Sequence, residues 1–156
     1  MDGIVLINKE KNCTSRDVVN QVSKILKTKK IGHTGTLDPI ATGVLVLCIG
    51  KATKLVEVIT SYDKEYEAEV ILGIKTDTKD ITGKILKEEK AIISKENIEE
   101  CLKKMIGTYN QTVPIYSAVK INGKKLYEYA RNGEEVEIPT REVEINYLEI
   151  MEIKDN

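Results

Sequence analysis

Short apolar runs alternate with polar turns along the first sixty residues. Gly3-Ile4-Val5-Leu6-Ile7-Asn8 predicts a buried strand, closed by a polar turn from Lys9 to Asn12. Thr14 or Ser15 stands where a helix cap belongs, with Asp17 in the first turn. Val18, Val19, Val22, Ile25 and Leu26 recur at helix spacing, so a helix is expected over them. Lys24, Lys27, Lys29 and Lys30 crowd its C-terminal end, where cations suit the negative pole. A solvated helix terminus accounts for them more simply than a phosphate-facing patch. Residues 44–49 predict a second buried strand, and residues 52–60 a second helix.

The remainder is more broken. Residues 64–73 begin with alternation and end apolar, as a strand entering a sheet does; residues 76–83 are turn-rich, and Ile85 starts another short strand. Ser94 caps a helix over 95–106, with Gly107 as its stop. After Val113-Pro114 and residues 116–121, Asn122-Gly123 marks a turn. A short helix over 125–131 ends at Asn132-Gly133, and strands are expected over 136–138 and 143–153. Such irregular interleaving, with hairpin signals, favours α+β over a regular parallel array. No repeat, low-complexity segment or linker interrupts the 156 residues, which read as one domain. The last strand has no obvious partner downstream, as in a small complete domain or a longer protein cut short.

Composition narrows the function classes. The hydrophobic fraction of 41% supports a core, but without Trp or Phe it must be aliphatic. The seven Tyr are the only aromatics, so some are expected at a surface or a site. A net charge of −1 argues against a strongly basic nucleic-acid binder. The charge is uneven, however: residues 1–60 carry +4 and the rest −5. A polyanion would meet the N-terminal part, helped by Lys120, Lys124 and Lys125. The three Cys have no CxxC spacing and there is one His, which predicts no structural zinc. No signal peptide and no run near the roughly 18 apolar residues of a membrane span are present. A soluble, cytoplasmic protein with no membrane contact is expected.

The densest chemistry lies in Gly32-His33-Thr34-Gly35-Thr36-Leu37-Asp38-Pro39-Ile40-Ala41-Thr42-Gly43. Spacing alone makes Asp38 a helix N-cap followed by proline at the first helical position, with Gly43 ending that short turn of helix. The functional alternative starts from its surroundings. Glycines allow close approach or positive φ, Thr34 and Thr36 offer hydroxyls, and His33 offers a flat ring. A carboxylate held there can serve as nucleophile or general base. No triad partner and no second acid in a comparable setting accompany it. Gly50-Lys51 is not a P-loop, because Leu45 and Ala52 stand where Gly and Ser/Thr are needed. His33-Thr34-Gly35-Thr36 resembles the HxGH of nucleotidylyltransferases only weakly, since Thr36 replaces the second histidine. Tyr66 is either a half-buried strand residue or a platform for a base. For Tyr116, Tyr127 and Tyr129 the structural role is preferred.

The whole stretch from Gly32 to Leu45, followed by Cys48-Ile49-Gly50-Lys51-Ala52-Thr53-Lys54, resembles the TruB family of tRNA pseudouridine synthases. The likeness continues through residues 3–9, Thr14-Ser15, Asp63-Lys64-Glu65-Tyr66, Leu72-Gly73 with Thr76-Asp77-Thr78, Tyr116-Ser117-Ala118-Val119-Lys120, and residues 123–131. It implies a pseudouridine synthase fold, a mixed and mostly antiparallel sheet flanked by helices. The implied reaction isomerises uridine 55 in the tRNA T loop: the glycosidic bond breaks, the base turns, and it reattaches through C5. Asp38 would act on the uridine as nucleophile or base, with no cofactor and no metal. Tyr66 would stack on the flipped base, and His33 would fill the vacated space or hold the nucleotide. Thr34, Gly35 and Thr36 would line the site, and Lys9 would contact the RNA backbone.

Two departures follow from the same likeness. Glu10 and Asn12 replace the Pro and Gly that the family usually carries before Thr-Ser, which implies altered rigidity in that loop. The family also continues into a Lys-Gly-Thr-Tyr-Ile-Arg stretch, whose arginine pairs with the aspartate, and often into an RNA-binding domain. The 156 residues stop before both, so an incomplete catalytic domain is expected, either active or inactive alone, and open to self-association through an unpaired strand 143–153. The alternative from another class is a module that binds an RNA hairpin without modifying it.

Overall fold

A strand and a helix joined by a five-residue loop open the chain, and both follow from the sequence pattern. The computed structural model describes residues 1–117 and 119–154; Ala118, Asp155 and Asn156 lie outside the described residues. Strand β1 (Gly3–Lys9) alternates burial along its length, and helix α1 (Ser15–Leu26) follows. Thr14 caps α1: its Oγ1 accepts from the Asp17 amide at 3.1 Å, and the Asp17 carboxylate accepts from the Thr14 amide at 2.9 Å. These reciprocal bonds form a capping box, which satisfies donors that a helix start leaves open. Lys27 ends the helix in the left-handed region, its amide donating to the Ser23 carbonyl.

The chain divides into two compact units, Met1–Ala68 and Glu69–Asn156. In the first, β1, β2 (Ile31–His33) and β3 (Gly43–Ile49) form an antiparallel sheet in the order β1-β3-β2. The register pairs Lys9 with Gly43 and His33 with Leu47. Helix α1 buries Val18 and Val19 against Leu45 and Leu47, with Ile7, Val22, Ile31 and Leu37 packed around them. Gly50–Leu55 forms a 3-10 helix that runs into α2 (Val56–Thr60), so the helix expected over 52–60 is tighter in its first half. Gly32 packs closely beneath this element: a Cβ there would stand 3.0 Å from Val56 Cγ2, and the valine would have to give way.

The second unit pairs β4 (Ile74–Thr76) with β5 (Ile85–Glu88), then continues into α3 (Lys95–Met105), β6 (Gly107–Thr112), β7 (Lys120–Ile121), β8 (Lys124–Lys125), α4 (Leu126–Asn132) and β9 (Thr140–Ile145). Strand β7 pairs with β8 and β6 with β9, all antiparallel. Among its described residues only Val113 and Leu126 are buried hydrophobics. The α+β class holds, with the described strands distributed over one three-stranded and three two-stranded sheets.

Several elements differ from the sequence reading. Residues 63–71 and 134–139 carry no regular structure, so the strands expected over 64–73 and 136–138 are absent. The first lies almost wholly exposed and finds no partner strand to fix its alternation. The last strand is Thr140–Ile145 rather than 143–153, and it pairs along its length with β6. Its partner is the polar run Gly-Thr-Tyr-Asn-Gln-Thr, which hides a strand from hydrophobic patterning. Of the unpaired strand expected over 143–153, residues 143–145 are therefore paired and residues 146–153 form no strand.

Two consequences for stability can be measured. Leu47 is fully buried in the first unit's core, and Leu47→Ala is expected to cost about 2–5 kcal/mol in denaturant unfolding. Hydrogen bonds from Thr14 hold the Asp17 carboxyl below the usual aspartate range. A depressed folded pKa adds stability above the ordinary aspartate range, which is lost as pH falls through the folded value. Asp17→Asn should therefore destabilise the chain at neutral pH and have little effect well below the carboxylate range; equal destabilisation at both would contradict this linkage.

Candidate active site

The loop between β2 and β3 gathers most of the predicted site residues, and its geometry is set by neighbours on both sides. His33 closes β2 at half-buried depth, and the Thr34 amide extends the ladder by donating to the Val46 carbonyl at 3.1 Å. The Thr34 carbonyl accepts from Thr60 Oγ1 at 3.0 Å, tying the loop to the end of α2. Gly35 and Thr36 are exposed, and nothing lies within 4 Å of where a Gly35 Cβ would stand. Gly35 also has no positive φ, whereas Gly43, at φ +130, needs its glycine to enter β3. Gly35 thus leaves open space beside the loop.

Asp38 does not cap a helix. Its carbonyl accepts from the Ala41 amide at 3.0 Å, closing a tight turn over 38–41 with Pro39 at the second position. Proline's fixed φ suits that position as well as it suits a helix start. Only three residues separate Pro39 from Gly43, where the chain must already enter β3, so no helix develops. The Asp38 side chain is exposed, and among the described residues no hydrogen bond or ion pair reaches its carboxylate.

The backbone around it is held firmly. Ser15 Oγ, buried at the start of α1, donates to the Leu37 carbonyl at 3.1 Å and accepts from the Leu37 amide at 2.9 Å. On the other side, the Asn12 amide donates to the Pro39 carbonyl at 2.8 Å. Lys9, only 1% exposed, donates to the carbonyls of Cys13 at 2.8 Å, Glu10 at 2.9 Å and Pro39 at 3.5 Å. An ammonium has three donors, and here all three have acceptors. This corrects the expected role of Lys9 in contacting an RNA backbone: its charge points inward and holds the loop.

Ser15 and Asn12 were not singled out by their chemistry in the sequence. Asn12 sits at φ +65, a left-handed conformation that Asn tolerates better than most residues. Asn there keeps a backbone conformation that glycine also adopts, so the turn needs no glycine at this position. For Ser15 the only signal was a second hydroxyl directly after a sufficient cap.

Tyr66 is 71% exposed on the irregular segment that follows α2. No hydrogen bond joins it to the loop among the described residues. Its ring is free to serve as a flat surface, but the described contacts do not bring it together with Asp38. Tyr127 and Tyr129 are engaged within the second unit by Lys125, Arg131 and Lys124. No group of three or more His, Cys, Asp or Glu among the described residues is arranged to hold a metal ion. No described helix is long and apolar enough to cross a membrane.

His33 has a defined orientation. Its Nδ1 lies 2.7 Å from the Gly35 carbonyl, which can only accept, so Nδ1–H donates. In the neutral ring Nε2 is then left as an acceptor. Because the chain has one histidine, its imidazole nitrogens are unambiguous in a long-range proton–nitrogen NMR spectrum. In the neutral ring Nδ1 is expected to carry the proton; a protonated Nε2 with a bare Nδ1 would contradict the geometry.

Comparison with known proteins identifies the family of the chain. The family model described as TruB family pseudouridylate synthase (N terminal domain) matches residues 23–156. The chain is 53% identical over 156 residues to tRNA pseudouridine synthase B of Fusobacterium nucleatum, covering all of this chain and 54% of that protein. It is 53% identical over 151 residues to the Bacillus pumilus protein of the same name, covering 96% of this chain and 49% of the relative. The chain thus spans about half the length of the curated relatives it matches. A chain of the solved structure titled "Crystal Structure of a Cbf5-Nop10-Gar1 Complex" superposes with a TM-score of 0.61 at 24% identity, covering 97% of this chain and 36% of that one. That likeness shows the pseudouridine synthase fold. With the family model covering most of its length, the chain belongs to the TruB family of pseudouridylate synthases.

Proposed function

We propose that this chain carries the catalytic aspartate of a tRNA pseudouridine synthase that isomerises uridine 55 in the T loop. The observation that carries the reading is Asp38: an exposed carboxylate on a tight turn whose flanking peptides are both bonded to residues 9–15. A reacting group held in this way loses little freedom when substrate arrives. In the reaction the bond from ribose C1′ to N1 of uracil breaks, the base turns, and a bond from C1′ to C5 forms. The C5 hydrogen leaves as a proton and N1 gains one, so the change is an isomerisation with no oxidant, reductant or cofactor. Asp38 serves as nucleophile or base in that sequence.

The other residues serve the flipped base. Extruding a nucleotide from its stack costs a few kcal/mol, which contacts in the site must offset. Tyr66 offers an exposed ring for stacking, and aromatic stacking accepts any base. His33 fills the space left in the RNA or holds the nucleotide, with Thr34, Gly35 and Thr36 beside it. The +4 charge of residues 1–60 favours approach of a polyanion. Both units of the chain are taken as parts of one catalytic domain, acting in the cytoplasm where tRNA is modified.

Tritium release from a T-loop hairpin labelled at uridine C5 tests this reading. Release by the chain is expected, and Asp38→Asn is expected to abolish it while changing stability by less than about 1–2 kcal/mol, since the carboxylate caps nothing. Release that survives Asp38→Asn would refute the role of the aspartate. Hairpin binding without release would favour the module that binds RNA and does not modify it.

A further inference from the structure

We propose that Ser15 is a positioning residue for Asp38, one that sets where the carboxylate stands; this rests on the catalytic reading of Asp38. Three observations separate Ser15 from an ordinary helix-start serine. First, α1 does not need its hydroxyl, because Thr14 and Asp17 already form the capping box. Second, the side chain is 2% exposed, so its hydroxyl is withdrawn from solvent. Third, that one hydroxyl satisfies both backbone groups of Leu37, donating to the carbonyl at 3.1 Å and accepting from the amide at 2.9 Å.

The pairing does what a strand neighbour would do, across 22 residues of sequence. Leu37 is also packed against the buried cluster of Val18, Val19, Leu45 and Leu47. Its peptide is therefore held by two hydrogen bonds and its side chain by packing, and the next residue is Asp38. Beyond Asp38 the Pro39 carbonyl is held by Asn12, so the aspartate is pinned from both sides while its side chain stays free. A hydroxyl is a small group able to donate once and accept well at the same time. Alanine loses both bonds, and cysteine keeps the shape with a weak donor and a weak acceptor.

Alanine also favours the helix, so Ser15→Ala removes the tie without weakening α1. Displacing a reacting group by about 1 Å costs on the order of a hundredfold in rate. The experiment compares wild type, Ser15→Ala and Ser15→Cys in three measurements. These are the single-turnover rate on a T-loop hairpin, the hairpin Kd, and the NMR resonances of the Leu37 amide and the Asp38 amide and carboxyl carbon. The expected result for Ser15→Ala is a rate lower by about 10–100-fold, a Kd within about twofold of wild type, and shifted Leu37 and Asp38 resonances. Ser15→Cys is expected between the two and covers the case in which the alanine variant does not fold. A folded variant with unchanged rate and unchanged Asp38 resonances overturns the proposal. So does a rate loss matched by an equal loss of folded fraction or of RNA affinity. If the wild-type chain forms no pseudouridine, the catalytic reading fails separately. The Asp38 resonances then decide, unchanged signals in Ser15→Ala overturning the positioning role.

Discussion

The peptide bonds on either side of Asp38 are made fast by the segment from Lys9 to Ser15, and the geometry of the loop depends on that constraint. Ser15 holds Leu37; Asn12 and Lys9 hold Pro39. The constraint exists only because the β1–β3 register, ending at Lys9 opposite Gly43, brings the two loops side by side. That register is fixed in turn by the core face, where Val5 and Ile7 pair with Leu47 and Leu45. A slip of one residue would move this apolar set to the other face of the sheet. Sequence pattern, core and site are in this way one chain of cause.

Lys9 shows how the constraint is maintained against an electrostatic cost. Burying an ammonium is unfavourable unless its donors are met. Three carbonyls meet them, two within the loop after β1 and one in the turn carrying Asp38. The lysine thus joins the two loops through neutral acceptors and leaves the aspartate unpaired among the described residues. The exposed carboxylate and the buried ammonium are parts of one device, with the backbone between them.

Much of the fold could be read from the sequence where periodicity meets a cap or a stop: β1, α1, β3, β5, α3 and α4 all fall close to their expected bounds. What escaped has a common physical cause. Strands β2, β4 and β6 are too short or too polar to show a pattern, and their existence depends on the strands they pair with. Residues 64–71 show the reverse, since Lys-Glu-Tyr-Glu-Ala-Glu alternates well but has no partner to pair with. The site divides in the same way. Asp38, His33 and the surrounding threonines and glycines stood out as a cluster, and the Asp-Pro pair marked a tight local structure. Whether it began a helix or a turn depended on the distance to Gly43, and its support by Ser15 and Asn12 was a tertiary fact. For Lys9 the family likeness implies an RNA contact, whereas its burial assigns it to the loop.

Amide hydrogen exchange of the unmodified chain tests the central claim most directly, because it reports the tie between the two loops without mutation or substrate. The Asn12 amide, bonded to the Pro39 carbonyl, is expected to exchange as slowly as the amides of the β1–β3 ladder, while those of Gly35 and Thr36 exchange rapidly. If the Asn12 amide exchanged at the rate of an open loop, the segment before α1 would not be holding the Asp38 turn, and the account would fail.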